Sequence, residues 1–236
     1  MPAARLVPIR WTEMRSHRLP ARRSAAAGTV AIILALLLGG CFTGERPTMT
    51  TPPPGGAAGS ATGDANVDAV LSRLEKVDQA TFTADYDILR KLGAATTEAT
   101  VAQEGTSRRS VTVGDVRYLQ TTDQPSRTCN LAAQICEDGI IDARTSDVGV
   151  TSNFFGATPA RRLRIATTRK SGPTTASTRT IAGQPATCVQ VPFADGAETY
   201  CALDSGAVAL WDGADLHVGL TDYRSDLDET AFATTR

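Results

Sequence analysis

The feature that most constrains the fold is an abrupt change in the spacing of apolar residues near position 80. Before it, apolar residues recur at intervals of three and four, which places them on one face of a helix. After it, in TFTADYDIL, apolar and polar residues alternate, as in a strand that is buried on one face. The sequence therefore predicts a helix, capped by Asp64 or Asn66, that leads directly into an antiparallel sheet. The apolar stripe of this helix consists of Val67, Val70, Leu71, Leu74 and Val77.

The rest of the chain continues mainly in short strand-like segments. TTEATVAQ, RSVTV, VRYLQT and GIIDA are short and rich in Thr, Val or Ile, and turn residues separate them. The last third alternates in the same way from residue 180 to residue 226. These segments predict an antiparallel meander that resumes near the end of the chain.

Two segments between these strands favour helices. Residues 147–156 suggest a short helix that carries Phe154 and Phe155. Thr158 and Pro159 are typical of a helix start, and the Gly-Pro pair at 172–173 would end that helix. A strand remains the alternative for this second segment, because Leu163 and Ile165 alternate with arginines.

The N-terminus has the order of an export signal. Arginines without a nearby acid precede an apolar run from Val30 to Leu38, which at about nine residues is too short to span a membrane. Leu38-Gly39-Gly40-Cys41 resembles the bacterial lipobox, in which the cysteine is lipidated and becomes the first residue after cleavage. We expect residues 1–40 to be a lipoprotein signal peptide, with Met1 and Met14 as alternative starts, and Cys41 to carry a lipid.

Composition divides the remainder into a linker and one domain. Residues 41–65 are rich in Pro, Gly, Thr and Ala and have almost nothing to bury, which predicts a flexible linker. Residues 66–236 are enough for one domain and too few for two comfortable ones. The expected location is the extracytoplasmic face of the cell membrane.

Charge argues against a nucleic-acid partner. Without residues 1–40 the chain has 18 basic and 24 acidic residues, a formal charge of −6. Residues 157–180 nevertheless contain six basic residues and no acid. Such a face can approach anionic headgroups. The alternative is a solvated helix face that the acidic remainder balances.

Four cysteines remain once Cys41 is assigned to lipid. In an exported chain an even set favours disulfides over a zinc site, and the sequence has no C-x-x-C pair. Four cysteines allow three connectivities. We expect the nearest-neighbour pairs, because a hairpin turn at residues 193–196 would place Cys188 opposite Cys201. The other pair, Cys129 and Cys136, requires a loop or hairpin, since seven residues of helix would hold them too far apart.

Catalytic and metal-binding residue patterns are scarce. His217 is the single histidine after residue 40, and no G-x-S-x-G segment is present. Asp226, Asp228 and Glu229 form an acidic cluster without the spacing of a calcium loop. We therefore expect no catalytic residues, no metal and no cofactor, and an envelope hydrolase is the weakest of the functional hypotheses.

The order of elements resembles a known family. The helix that runs into Phe82-Thr83-Ala84-Asp85-Tyr86, together with IAGQPATCVQV and TYCALDSGAVAL, is similar to LolA-like lipoprotein carriers and their actinobacterial lipoprotein relatives, over about residues 66–232. The resemblance implies an α+β fold in which an antiparallel sheet curls into a half-barrel over helices and leaves room for acyl chains. It implies no catalytic residues. The implied cavity lining is Phe82, Tyr86, Val113, Tyr118, Phe154 and Phe155.

Two functional hypotheses follow. In the first, the lipid-anchored domain binds or carries an apolar ligand such as a lipid or a lipoprotein acyl chain. In the second, it is a tethered accessory or sensor module with a packed core, which contacts a membrane protein through its surface. A continuous apolar cavity beneath the sheet would favour the first hypothesis, and a filled core would favour the second.

Overall fold

The computed structural model describes residues 61–234. The expected signal peptide, Cys41 and most of the linker lie outside the described residues. Within the described part, no helix is long and apolar enough to cross a membrane.

The first helix, α1 (Ala65–Leu74), follows the predicted stripe. The Asp64 side chain accepts hydrogen bonds from the backbone N–H groups of Asn66 and Val67, at 3.2 and 3.3 Å, and so caps the helix. All four apolar positions of the stripe within α1 are buried. The fifth, Val77, is buried in a short 3₁₀ helix (Val77–Gln79) that connects α1 to the sheet.

Eleven strands form one open, fully antiparallel sheet. The spatial order is β6-β5-β4-β3-β2-β1-β11-β10-β9-β8-β7, so that β6 and β7 are the edges. The strands are β1 (Thr81–Arg90), β2 (Ala95–Glu104), β3 (Arg108–Val113), β4 (Val116–Thr121), β5 (Arg127–Asn130), β6 (Ile135–Asp138), β7 (Thr175–Ile181), β8 (Gln184–Phe193), β9 (Gly196–Leu203), β10 (Val208–Asp212) and β11 (Leu216–Arg224).

The pairing of β1 with β11 joins the two halves of the sheet. Each half is a run of hairpins between neighbours in sequence, whereas Tyr86 pairs with Leu220 across the long-range β1–β11 ladder. The predicted alternation in β1 is confirmed, since Phe82, Ala84, Tyr86 and Ile88 are all buried. The observed architecture is the predicted α+β half-barrel.

Two groups of elements, side by side, cover the inner face of this sheet. Helices α1 and α2 (Thr158–Arg169) contact each other and lie against β8 and β9. The segment 139–157 lies over the other half: Thr145 bonds the Tyr118 hydroxyl at 2.8 Å, and the rings of Phe155 and Tyr86 lie 4.5 Å apart. A 3₁₀ helix (Glu229–Phe232) packs on the outer face, where the Ser110 hydroxyl donates to the carbonyl of Ala231 at 2.6 Å.

Helix α2 confirms the helix predicted to begin at Thr158 and rules out the strand alternative. Its capping residue is Ala157, one position before the predicted Thr158, and Pro159 lies in the first turn. Leu163 is fully buried, whereas Ile165 points outward and is 48% exposed. The helical period, which places Leu163 with Ala160 and Ala166, therefore decides the structure over the two-residue alternation.

Two smaller predictions were wrong. Residues 147–156 form hydrogen-bonded turns instead of a helix, and GIIDA leads into a 3₁₀ helix (Asp142–Thr145) instead of a strand. The Asp142 carboxylate accepts the backbone N–H of Ser152 at 2.8 Å and fixes the turn. The turn directs the chain back over the sheet and buries Phe154 and Phe155 in the core. This arrangement depends on tertiary contacts, which local propensity does not predict.

Both disulfides join the nearest-neighbour pairs expected from the sequence. Cys129 pairs with Cys136 across β5 and β6, and Cys188 pairs with Cys201 across β8 and β9. The second bridge lies within the main core, whereas the first belongs to a small cluster with Leu119 and Leu131. Each bridge therefore locks a hairpin near one edge of the sheet.

Candidate binding site

The six residues expected to line a cavity all lie in the main core, each no more than 2% exposed. Phe155 is wedged between Tyr86 and Phe154, with ring centroids at 4.5 and 5.1 Å. Their own side chains occupy the concave side of the half-barrel at this point. Their role as the lining of an apolar cavity stays a prediction.

An open groove at one end of the half-barrel is the better candidate site. It has a volume of about 520 Å³ and brings together the ends of β1, β10 and β11, the turn at 146–149 and helix α2. We call it the Trp211 groove. Its lining is Arg90, Leu92, Ser146, Asp147, Val148, Gly149, Arg162, Glu198, Trp211, Ala214, Asp215 and Leu216.

Trp211 joins the groove to the core. It lies on β10, is 6% exposed, and packs on Phe154 and Tyr200 at centroid distances of 5.3 and 6.5 Å. The guanidinium of Arg162 lies 4.4 Å above the indole, which is a cation–π contact. A smaller depression of about 150 Å³ continues past Trp211 along α2 toward Ile165. The indole therefore lies between two neighbouring depressions, which share Arg162, Glu198 and Trp211 in their linings.

Two large apolar side chains on the rim face solvent. Leu92, in the β1–β2 turn, is 79% exposed, and Ile165 on α2 is 48% exposed. Fully burying a leucine stabilises a complex by about 1.5–3 kcal/mol. These side chains are therefore available to cover an apolar ligand without rearrangement of the core.

Polar groups around Trp211 are partly paired. The Tyr200 hydroxyl donates to the Glu198 carboxylate at 2.6 Å, and burial followed by this negative charge raises the pKa of Tyr200. The Trp211 Nε1 is buried near the Tyr200 hydroxyl, but it makes no hydrogen bond of ordinary length and angle within the described residues. Arg90 donates to the carbonyl of Asp147 and so ties the 146–149 turn to the sheet.

His217 has a structural partner beside the groove. Its Nδ1 lies 3.3 Å from the Asp212 carboxylate, which also pairs with Lys91 at 2.8 Å. Burial opposes ionisation of Asp212, but the bonds from Lys91 and His217 outweigh it and lower the pKa of that carboxyl. Within residues 61–234 no cluster of three or more His, Cys, Asp and Glu is placed to hold a metal ion.

The acidic cluster near the C-terminus is used in local structure. The Asp228 side chain accepts the N–H of Thr230 at 2.9 Å and caps the last 3₁₀ helix, and bonds from Thr230 lower the pKa of this carboxyl. Glu229 pairs with Arg108 at 2.6 Å. The carbonyl of Asp226 accepts the Thr83 hydroxyl at 3.0 Å. The Asp228 and Glu229 carboxylates therefore have partners within the protein, and Asp226 contributes its backbone carbonyl.

The basic residues of segment 157–180 fall into two groups, those with a partner inside the protein and those without an ion pair. Arg164 pairs with Glu75, Lys170 pairs with Asp64, and Arg162 lies on Trp211. Arg169 and Arg179 have no ion pair within the described residues, and both are exposed. Part of the segment therefore holds α2 in place, and part remains open to an anionic partner.

Trp211 and Leu92 were not predicted from the sequence as site residues. Trp211 lies in an alternating strand pattern, ALWD, like many core residues, and Leu92 lies in a turn. A large apolar residue in a turn, Leu92, was the one available signal. Their proximity depends on which strands pair, and alternation does not specify pairing.

No family model and no curated protein matches this chain. The MucA/MucB complex of Pseudomonas aeruginosa contains a chain that is 13% identical over 72% of this chain and 61% of that chain, with a TM-score of 0.47. A LolA superfamily protein from Nitrosomonas europaea is 12% identical over 70% of this chain and 97% of that chain, with a TM-score of 0.34. This chain therefore spans about three-fifths of the MucB chain length, and both similarities concern the fold alone.

Proposed function

We propose that this protein is a lipid-anchored, extracytoplasmic, non-catalytic binding module that takes an apolar ligand in the Trp211 groove. The observation that carries the proposal is the groove itself: an aromatic floor, an exposed leucine on its rim and a volume of about 520 Å³. Ligand pockets commonly measure about 300–1,000 Å³. The lipobox at Cys41 and the two disulfides support an anchored position outside the cytoplasm.

The ligand chemistry follows from the lining. Leu92, Val148, Trp211 and Leu216 supply apolar contacts, and the guanidinium groups of Arg90 and Arg162 stand among them. An acyl chain with a polar end matches this combination, because the chain covers the apolar side chains and the end group meets charged side chains of both signs. These charged residues are Arg90, Arg162, Asp147, Glu198 and Asp215. We propose the end of the half-barrel as the place of such a ligand, because the side chains of Tyr86, Phe154 and Phe155 occupy the concave side of the sheet.

Fluorescence of Trp211 tests this binding directly. A chain that begins at residue 42 has Trp211 as its single tryptophan, since the other is Trp11. We expect a fatty acid brominated along its chain to quench this fluorescence saturably. Leu92→Asp should weaken the affinity at least about tenfold, the equivalent of 1.4 kcal/mol.

Ile135→Asp provides the matched control, because Ile135 is 59% exposed on β6, at the far edge of the sheet. Its affinity should equal that of the unaltered chain. Equal affinities of all three chains, or no quenching at all, would contradict binding in the groove.

The second candidate function is an accessory or sensor module that contacts a membrane protein. The filled half-barrel favours it, because Tyr86, Phe154 and Phe155 occupy the space that a carrier would leave open. If this candidate is correct, the protein taken from its own membranes should carry no apolar ligand. Identification of co-purifying lipid therefore distinguishes the two functions.

A further inference from the structure

The two edges of the open sheet differ in how they are protected. β6 has four residues, and its carboxylates are already paired: Glu137 with Arg144, and Asp138 with Arg127 at 3.6 Å. β7 has seven residues, pairs with β8 along its whole length without a bulge, and contains neither proline nor lysine. Natural sheets normally blunt long edges with such devices. Arg179 is the single charged residue on β7, which otherwise lacks these devices.

Side chains do not cover this strand. Residues 175–180 of β7 are exposed on both faces of the sheet, and only Ile181 is half-buried. Within the described residues, β7 has β8 as its single strand neighbour. The other side of β7 therefore faces solvent with its backbone groups unpaired.

The geometry identifies which backbone groups are unpaired. Ala182 and Gly183 both have positive φ, 47° and 72°, which makes the β7–β8 connection a two-residue type I′ turn. Such a turn makes Ile181 and Gln184 a hydrogen-bonded pair, and bonded pairs then alternate along the ladder. The N–H and C=O groups of Ala176, Thr178 and Thr180 consequently point away from β8.

The Cys188–Cys201 disulfide, in the adjacent β8–β9 ladder, leads to the same assignment of the unpaired backbone groups on β7. The Cα atoms of Cys188 and Cys201 lie 4.0 Å apart, which is the closer spacing of a pair that shares no hydrogen bonds. The backbone groups of Cys188 must then point toward β7, where its partner is Ser177. Ser177 is therefore bonded to β8, and its neighbours Ala176 and Thr178 face the free edge.

Charge indicates the kind of partner. No acid occurs between residues 157 and 194. Arg179 lies on β7, Arg169 lies six residues before its start, and neither has an ion pair within residues 61–234. The sheet edges of a second copy offer no carboxylate without an ion pair, since β7 has no acid and both acids of β6 are paired. An acidic extended segment of another protein fits better.

We infer that β7 is a docking edge that takes an extended, acidic segment of a partner protein as a twelfth strand of the sheet. Backbone bonds to Ala176, Thr178 and Thr180 supply the pairing, and Arg179 selects for negative charge. This surface lies on β7 and shares no residue with the Trp211 groove. The inference therefore stands or fails independently of the proposed ligand.

Hydrogen exchange followed by mass spectrometry tests the inference on the full-length chain in a non-ionic detergent. The probe is an end-blocked, seven-residue peptide of alternating Glu and Val at millimolar concentration. In the fragment that covers residues 175–181, we expect the probe to slow exchange of the three free amides at least about tenfold, because they become hydrogen-bonded. These are the amides of Ala176, Thr178 and Thr180. A matched Lys-Val peptide should have no effect.

Four variants distinguish backbone pairing from other causes. Thr178→Pro removes an outward N–H and leaves the β8 ladder intact, so protection of Ala176 and Thr180 should be lost. Thr178→Val keeps the N–H and should bind normally. Arg179→Glu should abolish the protection, and Arg161→Glu, on the exposed face of α2, should not. An unchanged thermal unfolding midpoint checks that each variant is folded.

Three results would overturn the inference. The first is no slowing of exchange by the Glu-Val peptide. The second is equal slowing by the Lys-Val peptide or in Thr178→Pro. The third is protection of 175–181 that rises with protein concentration without any peptide, which would make a second copy the occupant of the edge.

Discussion

At the scale of single residues, Asp64 shows how one side chain joins distant parts of the chain. It caps α1, pairs with Lys170 at the end of α2, and accepts the hydroxyl of Thr174 at 2.8 Å. Burial opposes its ionisation, but the bonds from Lys170, Thr174 and the backbone N–H of Val67 outweigh it and lower its pKa. The sequence identified the capping role alone, because the other two partners come from tertiary contacts.

Gly206 is the residue at which a single added carbon should matter most. Its φ is +90°, and a Cβ there would lie 2.7 Å from the carbonyl oxygen of Arg73 and 2.8 Å from the Cα of Val77. Both atoms belong to backbone, which cannot move aside cheaply. We expect Gly206→Ala to lower the free energy of unfolding by about 3 kcal/mol or more in denaturant titrations.

Gly183→Ala measures the cost of backbone strain without a steric clash. Gly183 also has a positive φ, +72°, but a Cβ there would meet nothing within 4 Å. The expected loss in the free energy of unfolding is about 1 kcal/mol, from strain alone. Equal losses in the two variants would show that the turn at 203–207 does not pack on the end of α1 as described.

At the scale of elements, the two disulfides hold hairpins of unequal importance. Cys188 and Cys201 lie in the main core, whereas Cys136 is half-buried on the edge strand β6. The closed loops differ modestly, with sequence separations of 13 and 7. Packing should therefore dominate the difference between them.

Paired substitutions measure that difference. We expect Cys188→Ala with Cys201→Ala to lower the free energy of unfolding by about 3–4 kcal/mol, since it opens a loop and leaves a cavity in the core. Cys129→Ala with Cys136→Ala should cost about 2 kcal/mol. A larger loss for the edge pair in the same denaturant titration would contradict the assignment of the core bridge as the stronger constraint.

Predictability from the sequence also differs between elements. The stripe of α1, the alternation of β1 and the facing cysteines are local patterns, and the structure confirms each of them. The segment 147–156 was predicted as a short helix that carries Phe154 and Phe155. It folds instead into turns, because the Asp142 side chain and burial against Tyr86 determine its path.

At the scale of the whole molecule, the half-barrel depends on strand pairing that local sequence patterns do not predict. Alternation predicts strands but not the β1–β11 ladder that joins the halves. That ladder brings Leu92, next to β1, beside Leu216 at the start of β11. The Trp211 groove is built from segments more than one hundred residues apart, so its position depends on the topology and could not be predicted from local pattern.

Native mass spectrometry of the protein extracted from its own membranes tests the central claim most directly. We expect a covalent lipid at the N-terminal Cys41 and, in addition, an apolar ligand that dissociates on activation. The dissociable ligand should be lost in Leu92→Asp and kept in Ile135→Asp. A mass that corresponds to the covalently lipidated chain alone, in the unaltered protein as well as in both variants, would contradict apolar ligand binding in the Trp211 groove.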